Sequence, residues 1–233
     1  DVYKRQAQVT AAALKIVDAA TTVNVTATAV TQITGSASDL ADVYGGGITG
    51  LGDETIVLTD TTLAAATLTP TVNGYSSVAI NANSVTTLTG TNAEIVAAYA
   101  ADTAGTVIID GDAKLTVSDN ITSAEANTLD AKTTGVITAT ISTTAIADLD
   151  DLTGTGNAYT ITVGTGTVTA AALKTVNDAT TVNVTATAVT AISGSAADLA
   201  SVYGGGITGL GNETVTVSNA QVTAADLNTI NSG

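Results

Sequence analysis

Two short hydrophobic patterns alternate along the chain. Apolar residues recur at i, i+3 in Leu14/Val17, Leu173/Val176 and Leu227/Ile230. This spacing puts each pair on one helix face and predicts a short helix that opens near Thr10 and its counterparts. In Val23-Asn-Val25-Thr and Val182-Asn-Val184-Thr, β-branched residues alternate with polar ones, which predicts strands. A second helical pattern runs through Ser36-Ala-Ser-Asp-Leu-Ala-Asp-Val-Tyr44 with Leu40, Val43 and Tyr44 facing inward. Gly45-Gly-Gly47 follows it and is expected to supply a positive-φ stop. Glu54-Thr-Ile-Val-Leu-Thr59 then reads as a second strand.

This pattern is copied. Residues 9–59 return at 168–218 with 39 of 51 positions identical, at a fixed offset of 159. The opening of the unit recurs at Val9, Leu63, Ile121, Val168 and Val222, so the middle units are diverged copies. With two helices and two strands per unit, one coil takes about 27 residues, inside the range of strand-plus-helix solenoid repeats. The expected fold class is α/β: a repeat solenoid of short parallel strands alternating with short helices, over residues 7–233. In the second unit Leu88 to Tyr99 aligns with Ile33 to Tyr44, but Ala-Asp-Thr-Ala-Gly105 replaces the glycine triplet, so that turn must be built differently. Pro70 falls where the first helix of this unit would run and is expected to break or abolish it.

Residues 1–6, Asp1-Val-Tyr-Lys-Arg-Gln6, do not fit the repeat. They are what a transposon-end sequencing adapter gives when translated in frame, so they are read as non-native and the rest as a fragment of a longer array. The apolar fraction is carried by Ala, Val, Ile and Leu, with no Phe, Trp, Met or Cys, while Thr occupies 48 positions. Side chains this small cannot fill a wide interior at native packing density, and closely stacked coils suit them better. The net charge is −15 with six basic residues, which disfavours nucleic acid and anionic lipid as partners. Without His the chain lacks the commonest catalytic base and metal ligand, and without Cys it has no disulfide or thiol chemistry. No stretch approaches the ~20 apolar residues of a membrane-spanning helix.

The carboxylates fit capping better than catalysis. Ser36…Asp39, Thr91…Glu94, Thr122…Glu125, Ser195…Asp198 and Thr223…Asp226 all place an acid three residues after a hydroxyl. Asp110-Gly-Asp112 with Asp119, and the Asp53-Glu54 pair, could offer oxygens to calcium. The calcium-binding nonapeptide is absent, however, and Asp53 is Asn212 in the near-copy, so solvated turn acids are the expectation. No metal, cofactor-binding or catalytic residue is assigned. The Gly45–Gly50 run lacks the Lys-Ser/Thr of a phosphate loop. Asn24, Asn120, Asn183 and Asn212 head glycosylation-type triplets, as chance allows in so Thr-rich a chain. Lys114 among Asp110, Asp112 and Asp119 is the one group that could break the repeat to make an enzyme cleft. Tyr44, Tyr99 and Tyr203 share one place in the unit and are read as packing plugs rather than a sugar-stacking row. Thr26/Thr28, Thr138/Thr140, Thr160/Thr162 and Thr185/Thr187 would expose hydroxyl pairs that could form rows on a strand face.

The segments TAADLNTI, ATAVTAISGSAADLASVY and GITGLGNETVTVS resemble the tandem repeats of giant extracellular proteins of marine cyanobacteria, of the swimming-associated surface type. The resemblance covers residues 9–233 and is weaker over 63–167. It implies export to the bacterial cell surface or medium and a structural, adhesive or motility role, with no catalytic residues. The expectation is therefore a non-enzymatic stalk segment whose partners are neighbouring repeats of the same chain. The alternative is a module that binds carbohydrate, ice or calcium through Thr rows or turn carboxylates.

Overall fold

The computed structural model describes residues 8–219 and 221–232; the adapter-like residues 1–6 lie outside them. The fold is mixed α/β with parallel sheets, in two compact units, Asp1–Ser118 with Thr133–Gly135 and Asp119–Lys132 with Val136–Gly233.

In the first unit the order is β1 (Gln8–Thr10), α1 (Ala11–Ala19), β2 (Val25–Thr26), β3 (Gln32–Gly35), α2 (Ala37–Gly45), β4 (Ile48–Thr49), β5 (Thr55–Leu58) and β6 (Thr62–Ala64). Then come β7 (Ile80–Ala82), β8 (Thr87–Gly90), α3 (Asn92–Thr103), β9 (Val107–Ile109) and β10 (Lys114–Ile121), within which the boundary between units falls. One sheet runs β1-β3-β5-β7-β9, β2 pairs with β4, and β6, β8 and β10 lie side by side. All these pairs are parallel, so each needs a crossover, which in most cases is the short helix between them. Gln8 pairs with Gln32 and Gln32 with Thr55, 24 and 23 residues on, whereas Ile80 pairs with Val107, 27 residues on. The register sets like on like: Val9, Ile33 and Ile56 align, and so do Leu63, Leu88 and Leu115. Ile33, Ile56, Leu88 and Leu115 are wholly buried, and burying such a side chain contributes about 1.5–3 kcal/mol.

The second unit contains the end of β10, then α4 (Ser123–Asp130), β11 (Ile137–Ile141), α5 (Ile146–Leu149), β12 (Ala158–Thr160), β13 (Gly166–Thr169), α6 (Ala170–Asp178) and β14 (Val184–Thr185). It closes with β15 (Val189–Gly194), α7 (Ala196–Tyr203), β16 (Ile207–Thr208), β17 (Thr214–Val217) and α8 (Ala224–Ser232). Strands β13, β15 and β17 form a sheet in which Val168, Ile192 and Val215 align; β14 pairs with β16, and β11 with β12, again all parallel. The near-copies thus fold into the same elements: α1 and α6, α2 and α7, β2 and β14, β4 and β16.

Several local expectations change. No residue of Gly45–Gly47 has positive φ; the left-handed positions are Gly50 and Gly52, and Gly209 and Gly211 in the copy. Gly46 and Gly47 are needed for space instead, whereas a Cβ on Gly45 would meet nothing within 4 Å. A Cβ on Gly46 would lie 2.8 Å from the Asp42 carbonyl oxygen, and one on Gly47 2.8 Å from the Asp18 carboxylate. Where Ala-Asp-Thr replaces the triplet, α3 runs on to Thr103 and the positive φ falls at Gly105. Pro70 does break its helix: Thr69 before it is extended (φ −135°, ψ 119°), leaving a distorted turn at Thr67–Thr71 and a single 3₁₀ turn at Val72–Gly74. Val17 and Val23 are exposed, although Val176, the counterpart of Val17, is wholly buried. The strands preceding the helices, β3 and β15, carry no clean alternation that would have predicted them.

Candidate functional site

Threonine hydroxyls bridge one strand to the next. Thr49 donates to the Val25 carbonyl (3.3 Å), Thr86 to Thr61 (3.1 Å), Thr190 to Gly166 (3.1 Å) and Thr208 to Val184 (3.2 Å), each across 24 or 25 residues. Thr133, buried, donates to the Ala113 carbonyl (2.6 Å) and accepts from the Gly135 N–H (2.9 Å). β-Branched Thr suits a strand and also brings its own donor to a neighbouring carbonyl, which gives part of the Thr excess a physical role. Other hydroxyls remain on the surface. Thr140 pairs with Thr160, and Thr162 aligns with Thr185 and through it with Thr208; Thr140, Thr160 and Thr162 are exposed and Thr185 is half-buried.

All five predicted caps form at the hydroxyl: Ser36, Thr91, Thr122, Ser195 and Thr223 each accept the N–H three residues on. The reciprocal bond back to the cap N–H forms only with Glu94 and Glu125 (2.8 Å each). Asp is one methylene shorter, and its oxygens bond elsewhere, Asp198 and Asp226 to the cap hydroxyl and Asp39 to Lys15. A second layer of capping was not legible in the sequence. Asp60 accepts the Ala37 N–H and Asn219 the Ala196 N–H, both at 2.8 Å, from a strand end 23 residues ahead.

Glu54 corrects the expectation of solvated turn acids: it is wholly buried, and its Oε2 accepts the Gly52 (2.8 Å) and Asp53 (3.2 Å) N–H groups. Glu213 holds Gly211 and Asn212 in the same way and also accepts the Tyr203 hydroxyl. Burial works against the Glu213 charge, but the Tyr203 hydroxyl and the backbone N–H groups outweigh it and hold the carboxyl below its usual range. Burial, then the hydrogen bond and charge of Glu213, push the Tyr203 phenol up. Tyr44 stacks on Tyr75 instead, with ring centroids 4.5 Å apart and planes 3° apart. Tyr99 is almost completely buried, and burial raises its phenol as well. Tyr44, Tyr99 and Tyr203 act as packing groups, and among the described residues they do not form a row of open aromatic faces.

Lys15 bridges Asp39 and Asp42 at 2.6 Å each; these bonds raise the lysine, and Lys15 in turn lowers Asp39. Asp110 and Asp112 sit in the turn between β9 and β10, and Lys114 and Asp119 are exposed on β10. Asp53, like Asn24, Asn120, Asn183 and Asn212, is exposed. Among the described residues no three of His, Cys, Asp and Glu come together as metal ligands would, and no helix is long and apolar enough to cross a membrane. A groove of about 410 Å³ lined by polar side chains lies between α4 and α5, formed by Thr122, Ser123, Asn127, Thr143, Asp148 and Asp151. Asn127 is already committed there, donating to the Asp151 carbonyl (2.8 Å) and accepting from Thr153 (3.0 Å).

The chain matches no family model, no curated protein and no solved structure.

Proposed function

We propose that this chain is a non-enzymatic structural segment of a secreted bacterial surface protein, an adhesive or load-bearing stalk built as a solenoid of stacked strand-and-helix windings. The observation that carries the reading is that the polar residues repeated between the near-copies are spent on cohesion. Thr49 and Thr208, Asp60 and Asn219, and Glu54 and Glu213 make matching bonds to main-chain groups, most of them one winding away. The parallel register at 20–27 residues and the aligned aliphatic rows are what stacked windings require. A net charge of −15 keeps such a segment soluble and self-repelling. Small-angle scattering tests the shape: a compact globule of this length has a radius of gyration of about 17 Å. A value well above that, with the scattering of a rod, supports the stalk; a value near it sinks the solenoid.

The second reading is a binding module for carbohydrate or ice on the Thr140–Thr160 pair and the Thr162–Thr185 pair, in which Thr140, Thr160 and Thr162 are exposed. Glycan-array and ice-affinity assays in which Thr140→Val and Thr162→Val abolish a signal given by the unaltered chain would favour it over the stalk.

A further inference from the structure

Polar residues shared by the near-copies serve cohesion, so a ligand site is to be sought where the repeat is broken. One such break lies wholly within the second unit. The stretch opening at Ile121 has Ser123 where those opening at Val9 and Val168 have Ala11 and Ala170, both wholly buried. Ser123 is only 6% exposed, and its hydroxyl bonds to no group among the described residues. A buried hydroxyl without a partner is an exception that calls for one. The Ser123 N–H donates to the Thr143 hydroxyl oxygen (3.1 Å), which does here what Asp60 and Asn219 do for α2 and α7. Unlike a carboxylate, Thr143 keeps a hydrogen of its own to donate. Asp148 breaks the pattern too. It stands three residues after a cap, but that cap is Ala145, which has no hydroxyl, and its carboxylate bonds to nothing among the described residues. The Asp151 carboxylate, exposed three residues on, is equally uncommitted. All four side chains line the groove between α4 and α5. Asn127 holds its shape from below, donating to the Asp151 carbonyl (2.8 Å) and accepting from Thr153 (3.0 Å).

We propose that the α4–α5 groove binds a small neutral saccharide through Ser123, Thr143, Asp148 and Asp151. The uncommitted groups select this chemistry. Asp148 and Asp151 only accept hydrogen bonds, Thr143 has a hydrogen to donate, and Ser123 can do both. A sugar hydroxyl also does both, so one polyol can satisfy all four. A metal ion or an amine would engage the carboxylates but leave the Thr143 hydrogen unmatched, and the two carboxylates repel an anion. A volume of about 410 Å³ lies within the range of small-ligand sites. No aromatic ring lines the groove, so a modest affinity is expected, with Kd of about 1 mM. The site goes beyond the stalk reading and does not depend on it, because the groove belongs to one unit whether or not the windings form a rod. It shares no residue with the Thr140–Thr160 and Thr162–Thr185 pairs.

Amide chemical shifts of the isotope-labelled full chain, titrated with glucose, mannose, galactose and lactose at millimolar concentrations, read this directly. The expected result is saturable shifts at Ser123, Thr143, Asp148 and Asp151 with at least one of these sugars. Ser123→Ala supplies the residue that Ala11 and Ala170 already are, so the fold is kept. It should weaken binding about tenfold and melt no lower than wild type, because the hydroxyl it removes has no partner in the free chain. Asp148→Ala, at an exposed position, should weaken binding at least as much. No shift with any of the four sugars overturns the proposal, and so do these shifts arising from calcium chloride or spermidine instead. Binding that survives Ser123→Ala but is lost in Thr140→Val overturns it as well, in favour of the strand-face hydroxyls. A chain that scatters as a rod yet binds none of the sugars leaves the stalk reading standing, and a compact chain that binds them leaves the groove without the stalk.

Discussion

Replacing Gly35 by Ala asks for a methyl group where the end of β3 already touches the start of α1. A Cβ built at Gly35 lies 2.6 Å from the Cβ of Ala11, whereas ordinary contact begins at 3.4 Å. Ala11 is wholly buried at the start of α1, and its N and Cα follow at 3.5 and 3.7 Å, so no flexible side chain can move aside. The strand must lift from the helix start or the helix must shift. Overpacking of this kind costs about 1–3 kcal/mol. For a chain of this size about 2 kcal/mol lowers Tm by about 4–8 °C. Thermal and urea melts of Gly35→Ala, Ala11→Gly and the double variant measure the contact as a cycle. Ala11→Gly alone loses about 0.5–1 kcal/mol through backbone entropy. The double variant recovers part of the Gly35→Ala loss, because the glycine now stands on the other side, with a coupling of about 0.5–3 kcal/mol. Gly194 meets Ala170 at 2.8 Å, so the same cycle repeats in the second unit. If Gly35→Ala melts like wild type, or the two losses simply add, strand end and helix start are not packed as described.

Three further outcomes are expected. Thr133→Val leaves the Ala113 carbonyl and the Gly135 N–H without their partner and lowers stability by about 1–3 kcal/mol in urea melts, whereas the exposed Thr138→Val stays within about 0.5 kcal/mol of wild type. Asn157, buried, accepts the Ile137 N–H (2.8 Å) and donates to Asp130 (2.9 Å); Asn157→Leu strands both and destabilises by about 2–4 kcal/mol in the same assay. Asp39 and Glu213 are held below their usual values, so the stability they add is complete above their unfolded-state values and is lost as pH falls through the lowered native ones. Melts of the Asp39→Asn, Glu213→Gln variant should therefore depend less on pH below about pH 4 than wild type, while Lys15, raised, contributes fully below its ordinary 10.5 and loses its part only at higher pH.

The helices were legible because their signals are local: a capping hydroxyl, an acid three residues on and an i, i+3 apolar pair all lie within one turn. The parallel class followed from the spacing of the copies. What the sequence concealed depends on partners about 24 residues away. Asp60 and Asn219 look like turn residues until the helix they cap is placed beside them. Glu54 looks like a solvated acid beside Asp53 because nothing local marks it as the residue folding back over its own turn. The glycine triplet was misread for a related reason. Its smallness serves the Asp18 carboxylate, 29 residues before Gly47 in sequence, rather than its own backbone angle. Identical pairs such as Leu14/Val17 and Leu173/Val176 differ in burial because their neighbours differ.

The substitutions between the copies separate what the fold requires from what it tolerates. Asp60 becomes Asn219 and each accepts the same helix N–H at 2.8 Å; Asp18 becomes Asn177 and each turns an oxygen to the third glycine of the triplet. At the Asp60/Asn219 position the fold needs an acceptor, and the charge is incidental. Glu54 and Glu213 do not change, and each carboxylate collects two adjacent backbone N–H groups. The ion pairs, by contrast, move freely. Lys15 reaches Asp39 and Asp42 on α2, but in the copy Asp42 has become Ser201 and Ala19 has become Asp178, and Lys174 turns to Asp178 on its own helix. A half-exposed ion pair contributes only about 0–1 kcal/mol, so losing the link between helices costs little. Cohesion along the chain thus rests on aligned aliphatic side chains and on hydroxyl, amide and carboxylate oxygens bonded to backbone. Buried apolar contact and short hydrogen bonds are far less sensitive to ionic strength than surface charge pairs, so the packing between neighbouring strands and helices is expected to persist in concentrated salt.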